Sequence, residues 1–118
     1  MLQPILWLVL AAIHATPALA LFRPATLTTL YHIEPDSPLF LLMHHRAALF
    51  FAVFVACVWA AIMPEGRRLA VLLVGISMIS FLVLYWSAGS PAPLRRIATV
   101  DLAGLPVLAG VAWLAFRP

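Results

Sequence analysis

Residues 69–88 read LAVLLVGISMISFLVLYWSA, a stretch without any charged side chain. An α-helix needs about 20 apolar residues to cross the roughly 30 Å of hydrocarbon in a bilayer, and this stretch reaches that length. Hydrocarbon offers no partner to backbone N–H and C=O groups, so a spanning segment must satisfy them within itself, as a helix does. Residues 69–88 are therefore predicted to form a transmembrane helix.

Three further stretches of the same character lie at about residues 4–22, 39–63 and 94–116. A Pro-Glu-Gly turn at residues 64–66 and a Gly-Ser-Pro turn at residues 89–91 separate the last three spans. Because these turns are short, consecutive helices should pack as antiparallel neighbours. The sequence predicts an all-α fold, in which one integral membrane domain over residues 1–118 forms an antiparallel bundle of four transmembrane helices.

The composition of the chain excludes a water-soluble domain. Hydrophobic residues make up 65% of the chain and charged residues 9%, and the mean hydropathy is +1.10. Soluble domains carry about 25% charged residues, and small ones leave much of their surface in water. The formal net charge is +3, but the arginines lie at the ends of apolar stretches, as helix anchors do. The bilayer is the expected partner, and nucleic acid is not.

The connection between the first two spans, residues 23–38, is the longest and most polar link. It can hold a short surface helix at Ala25–Tyr31. The membrane side that carries this link is called the long-link side below. Arg23, Arg95 and Arg96 lie on that side, against Arg67, Arg68 and Arg117 on the other. Because the count is balanced, the excess of basic residues in cytoplasmic loops does not choose an orientation.

The first span has one feature of a cleaved signal peptide. Ala18, Leu19 and Ala20 have the small-residue spacing of a signal-peptidase site. Residues 1–3, however, carry no positive side chain, whereas a signal peptide begins with a basic region. We therefore expect the first span to be retained as a membrane helix.

Polar side chains lie at one depth in all four spans. Counting about seven residues inward from the long-link end of each helix reaches a depth of about 10 Å. At that level the chain places His14, His45, Arg46, Ser80 and Asp101, which we call the polar layer. An ionised group facing lipid there would cost several kcal/mol, so these side chains should face the bundle interior. Arg46 and Asp101 are opposite in charge and are the expected ion pair.

Helical spacing agrees with inward placement of these residues. Asp101 shares a helix face with Gly104 and Leu108. Serines recur along one face of the third span: Ser77, Ser80 and Ser87. Alanines recur every four residues along the second span: Ala48, Ala52, Ala56 and Ala60. Small residues permit close helix contact in lipid, so the alanines predict a tight helix interface.

The polar layer admits two interpretations. It can be a pocket, open toward the long-link side, that binds a charged or hydrogen-bonding ligand, or a buried network that fixes helix packing. The leading hypothesis is a small ligand-binding, lipid-binding or accessory membrane protein without catalytic activity. The alternative is a transporter or channel protomer, because a chain of this size must form an oligomer to enclose a path. A subunit of a larger membrane complex is also open.

No cofactor, metal site or catalytic residue is predicted, and haem is the one cofactor alternative. His14 and His45 lie on different helices at similar depth, as axial haem ligands do. The single cysteine, Cys57, excludes an internal disulfide and any CxxC motif. The sequence contains no phosphate-binding glycine loop, no GxSxG motif and no HExxH motif, so no reaction is indicated.

Five segments form a pattern along the chain: LY at residues 30–31, PL at 38–39, HRAALF at 45–50, SMISFL at 77–82 and RRIATVDL at 95–102. The pattern resembles a family of small bacterial four-helix membrane proteins of unknown function. The resemblance covers nearly the whole chain and implies a multi-pass protein of the bacterial inner membrane. It also marks positions shared with the family, which are Tyr31, His45, Arg46, Ser80, Arg96 and Asp101.

The chain departs from the family pattern at three places. His44 stands where the family has Arg, Phe51 stands where it has Gly, and residues 88–91 read AGSP in place of a Gly-rich turn with Asn. Some family members bear the name phosphopantetheine adenylyltransferase. That enzyme is a soluble α/β protein with an HxGH-type nucleotide motif, which this sequence lacks, so adenylyltransferase activity is rejected.

Overall fold

The computed structural model describes residues 2–117, without the side chains of Leu30 and Tyr31. Within residues 2–117 the secondary structure is helical, with no strand. The α-helices are α1 (Leu2–Leu19), α2 (Ala25–Tyr31), α3 (Pro38–Ile62), α4 (Arg67–Ser87) and α5 (Arg95–Phe116). Short 3-10 turns at Pro64–Gly66 and Ala92–Leu94 lead into α4 and α5.

The prediction of four spanning helices is confirmed. Four helical stretches are long and apolar enough to cross a membrane, so the chain has the form of a multi-pass membrane protein: Leu2–Leu19, Pro38–Ile62, Pro64–Ser87 and Ala92–Phe116. The surface helix α2 also lies at Ala25–Tyr31, where the polar link permitted one.

Local residue chemistry sets several helix ends. The Ser37 hydroxyl accepts a hydrogen bond from the Leu39 N–H at 3.2 Å, and Pro38 occupies the first position of α3, where its missing N–H costs nothing. After α4, Gly89 (φ 85°) and Ser90 (φ 56°) adopt the left-handed conformation and turn the chain back. His32 ends α2 in the same conformation, with φ 58°.

The four long helices form a ring in which every neighbour is antiparallel. The order around the ring is α1, α3, α4, α5, and α1 packs most extensively on α3. The consecutive contacts of the last three spans are thus confirmed. The core at the centre joins Trp7 and Leu10 of α1 to Val74 and Met78 of α4 and Val111 of α5. α1 therefore supplies part of the central core.

The outer surface of the bundle is apolar, as lipid contact requires. Large aliphatic and aromatic side chains are exposed on every long helix, among them Leu8, Leu41, Ile76, Leu84 and Leu102. In water such a surface would be a large aggregation site, whereas lipid tails solvate it.

The predicted alanine interface on α3 is wrong in its register. Of that series only Ala60 is buried, and Ala52 is exposed. Four helical residues turn about 400°, so each step of four drifts about 40° around the helix and the series leaves any one face. The buried small residues of α3 follow mixed steps of three and four instead: Ala47, Cys57, Ala60 and Ala61.

Two adjacent arginines of α4 cap the ends of the helices on either side of it, on the side opposite the long link. The Arg67 Nε–H donates to the Ala60 carbonyl at 2.7 Å, near the C-terminus of α3. The Arg68 Nε–H donates to the Ala115 carbonyl at 3.0 Å, near the C-terminus of α5. The last carbonyls of a helix have no partner within it, so these guanidinium groups satisfy acceptors that would otherwise face the bilayer edge.

α5 packs tightly against α1 and α4 at Gly104. A methyl group added there would lie 2.7 Å from the Ile13 Cδ1 atom and 2.8 Å from the Met78 Cε atom. Both atoms end flexible side chains, so an alanine fits after small shifts, but a larger side chain must push the helices apart. Gly75 of α4 provides a control, because a methyl group added there meets no atom within 4 Å.

We predict that Gly104→Leu lowers the free energy of unfolding by about 1–3 kcal/mol, the usual cost of overpacking. Gly75→Leu should change it by less than about 0.5 kcal/mol. The measurement is denaturant unfolding of both variants in one detergent. Equal stability of the two variants would show that α5 does not pack at Gly104 as described.

Candidate functional site

A crevice of about 280 Å³ lies between α1 and α5 in the half of the bundle nearest the long link. Its inner wall holds the buried side chains of His14 and Asp101, which are 1% and 9% exposed. Its exposed rim is formed by Ala12 and Thr16 of α1 together with Arg96 and Val100 of α5. Ile13, Pro17, Phe50 and Ile97 complete the lining. We call this cavity the α1–α5 crevice.

Both ring nitrogens of His14 are engaged by hydrogen bonds. Nδ1 lies 2.9 Å from the Leu10 carbonyl oxygen, and because a carbonyl only accepts, Nδ1 carries the proton of a neutral ring. Nε2 is then an acceptor, and the Ser77 hydroxyl donates to it across the bundle at 3.4 Å. His14 therefore joins α1 to α4 and has no N–H left to offer to the crevice.

Asp101 lies on the interior face of α5, as the spacing predicts. Gly104 and Leu108 are buried on the same face. The Arg46 guanidinium attracts the Asp101 carboxylate electrostatically. Their direct ion pairing stays a prediction, but the fold places the two opposite charges where they stabilise each other.

The Phe50 ring contacts both Arg46 and His14, and sequence reasoning assigned it no role. The Arg46 guanidinium carbon lies 4.4 Å from the Phe50 ring centroid, in a cation–π contact. The other neighbour of this ring is His14, whose centroid is 6.1 Å away. Phe50 lines the α1–α5 crevice and also a groove of about 520 Å³ between α3 and α4, which holds Arg46, Ser77 and Ser80. One ring thus forms part of both walls.

His45 does not face the interior, which corrects its place in the predicted polar layer. Its side chain is exposed, because it lies two residues from the buried Ala47 and hence on the opposite face of α3. The neighbouring His44 turns inward instead. The His44 Nε2 atom lies 2.9 Å from the Leu21 carbonyl oxygen and donates its proton to it. His44 therefore ties the start of α3 to the chain just after α1.

Ser80 is likewise exposed, so its predicted place in the interior layer is wrong. Its hydroxyl donates to the Ser77 carbonyl oxygen at 3.4 Å on its own helix. The buried face of α4 runs along Val74, Met78 and Leu82, which leaves Ser80 at the edge of the α3–α4 groove. Ser77, one turn deeper in the membrane, is the serine that reaches the interior histidine.

Two predicted positions remain, Arg96 and Tyr31. Arg96 stands at the rim of the α1–α5 crevice. The side chain of Tyr31 lies outside the described residues, so its prediction is not tested. The structure therefore gathers His14, Asp101, Ser77, Arg46 and Arg96 around one half of the bundle and leaves His45 and Ser80 on its surface.

The described residues provide no evident metal centre. They contain no group of three or more His, Cys, Asp or Glu side chains that could hold an ion. A haem bound through His14 and His45 remains an untested alternative. It would require His14 to give up the hydroxyl that Ser77 donates, and His45 to turn in from the exposed face of α3.

Comparison with known proteins identifies no relative. No family model, no curated protein and no solved structure matches this chain. The site must accordingly be interpreted from its own chemistry.

We predict that Ser77→Ala lowers the free energy of unfolding by about 1 kcal/mol, because it leaves the buried Nε2 atom of His14 without a donor. Ser80→Ala should lie within about 0.5 kcal/mol of the unmodified protein, as surface substitutions do. Both values come from unfolding in one detergent. A larger loss for Ser80→Ala would mean that the interior hydrogen bond runs through Ser80.

We also predict energetic coupling between Arg46 and Asp101. Arg46→Gln and Asp101→Asn should each destabilise the bundle, because each leaves one charge without its opposite in a medium of low dielectric constant. The double variant should be more stable than the sum of the two losses implies, by about 0.5–3 kcal/mol. Additive losses in this double-mutant cycle would refute the coupling.

Proposed function

We propose that this protein is a small binding protein of the bacterial inner membrane, which holds the polar group of a lipid or another amphiphile in the α1–α5 crevice. The observation that carries this proposal is the juxtaposition of two buried ionisable side chains, His14 and Asp101, with a cavity of about 280 Å³. Intramembrane ionisable residues face cavities or pathways where they function.

The cavity supports a binding site over a network that only fixes helix packing. A network that serves only to fix helix packing gains most when its members contact one another and close the space between them. Here the Asp101 residue borders an open space of about 280 Å³. A group of that size, such as a headgroup, can enter the crevice and form hydrogen bonds with its wall.

The position of the opening indicates how a ligand arrives. The rim residues lie on the outward faces of α1 and α5, where Ala12, Thr16 and Val100 are exposed. On the long-link end, α2 lies across the bundle, packed on α3 and on the turn before α5. Its Leu27 is buried against Ala20 and Ala47. The flank between α1 and α5 is thus the direct route, and it leads to lipid.

No feature of the crevice requires a reaction. It contains one carboxylate and one arginine, and its histidine already uses both ring nitrogens in hydrogen bonds. Binding without catalysis is the function we propose.

The test is native mass spectrometry of the protein released from its own membrane in mild detergent. Ala12→Phe places a ring at the crevice rim, and Val9→Phe places the same ring on an exposed part of α1 away from it. We expect a bound amphiphile on the unmodified protein and on Val9→Phe, and its loss from Ala12→Phe. Retention of the same molecule by Ala12→Phe would refute binding in the crevice.

A further inference from the structure

We infer that the group held in the α1–α5 crevice is a zwitterion with a primary ammonium and a phosphate, the ammonium facing Asp101 and the phosphate facing Arg96. The inference rests on the proposed binding function and specifies its ligand. It follows from the order of hydrogen-bond acceptors, donors and charges along the crevice wall.

The inner wall presents acceptors. Asp101 contributes its carboxylate oxygens. Pro17 lies inside α1 and has no N–H, so it leaves the Ile13 carbonyl without its helical partner. Ile13 and Pro17 both line the crevice, and we assign the freed carbonyl to the same wall. Such carbonyls in interrupted membrane helices coordinate cations and N–H donors.

The inner wall offers no donor in return. The one proton of the neutral His14 ring is given to the Leu10 carbonyl, and Nε2 accepts from Ser77. A ligand group that reaches this depth must therefore bring its own hydrogens. A primary ammonium has three, enough for the Asp101 carboxylate and the Ile13 carbonyl together.

The rim presents a cation. Arg96 is exposed beside the crevice and makes no hydrogen bond or ion pair with the residues that the structure describes. A guanidinium group binds phosphate through two parallel hydrogen bonds. Arg96 lies five residues before Asp101 on α5, which is an axial separation of about 7.5 Å. Because both side chains line the crevice, the two groups can meet the two ends of one headgroup.

The order of charges along the wall favours a zwitterion over a simple cation or a simple anion. Asp101 is the one acid and Arg96 the one arginine among the described residues that line the crevice, and Arg46 attracts Asp101 from outside that lining. An added positive charge alone would be repelled by two arginines, and an anion at the inner wall would face a carboxylate. A zwitterion aligned with the wall leaves each charge next to its opposite.

The experiment compares three lipids of matched acyl chains in nanodiscs, with bound lipid counted by native mass spectrometry. Phosphatidylethanolamine has the ammonium and the phosphate, phosphatidylcholine has the same charges without N–H donors, and phosphatidylglycerol has only the phosphate. We expect the first to bind about tenfold more tightly than the second, the difference made by hydrogen bonds to a charged group.

Four variants locate the preference. Asp101→Asn should abolish the preference for phosphatidylethanolamine over phosphatidylcholine. Pro17→Ala restores an N–H to the Ile13 carbonyl and should reduce the preference about threefold. Pro106→Ala is its control, because Pro106 also lies inside a helix but does not line the crevice. Arg96→Gln should weaken the binding of phosphatidylethanolamine and phosphatidylcholine severalfold. The ratio of the two affinities should stay the same, since both lipids carry the phosphate.

The outcomes separate the two proposals. If all three lipids bind equally and Ala12→Phe displaces them, the assignment of a zwitterion is overturned and the proposed binding function stands. Tighter binding of phosphatidylglycerol would also overturn it. Lipid binding unaffected by Ala12→Phe would overturn both. Because Arg96 is exposed, its variant gives a result even if Asp101→Asn fails to fold. Competition by free phosphoethanolamine identifies a soluble ligand, and its failure to compete identifies the lipid; either result keeps the assigned chemistry.

Discussion

The cost of placing an ionisable group in hydrocarbon is the constraint on which this structure depends. Asp101 lies about 9 Å from the start of α5, at a depth where a carboxylate cannot face lipid tails without a large penalty. Its inward position fixes the rotation of α5. The rotation in turn brings Gly104 against Ile13 and Met78 and leaves space for the crevice above that contact. The rotation of α5 thus determines both the helix packing at Gly104 and the position of the crevice.

The same constraint acts on α1 through His14. A buried imidazole needs partners for both nitrogens, and it finds one on its own helix and one on α4. This bond crosses the bundle, whereas the main packing of α1 is against α3 and α5. A single polar contact therefore fixes a diagonal relationship that apolar packing leaves weakly specified, since lipid and protein interior are similar in polarity.

The sequence predicted the spans and the surface helix because length and apolar content determine them directly. It located His14 and Asp101 correctly, since depth can be counted along a helix. It could not determine which way His45, Ser80 and the alanines of α3 point. The spacing of residues shows which of them share a face of one helix. Which face points inward must be inferred from a difference in polarity between the buried face and the exposed face. In a lipid-embedded bundle both faces are apolar, so that contrast is weak. The roles of Phe50 and His44 depend on neighbouring helices and were beyond sequence reasoning for the same reason.

The adjacent arginines at the start of α4 have a consequence for the order of assembly. Arg67 reaches a carbonyl seven residues earlier in the chain, whereas Arg68 reaches one 47 residues later. During synthesis, in which the N-terminal parts of a chain are available first, the end of α3 can be secured as soon as α4 begins. The end of α5 becomes available only after the chain has been made as far as Ala115. Two neighbouring side chains of one type thus act at opposite stages of biogenesis, the first on a hairpin just made and the second on the completed bundle.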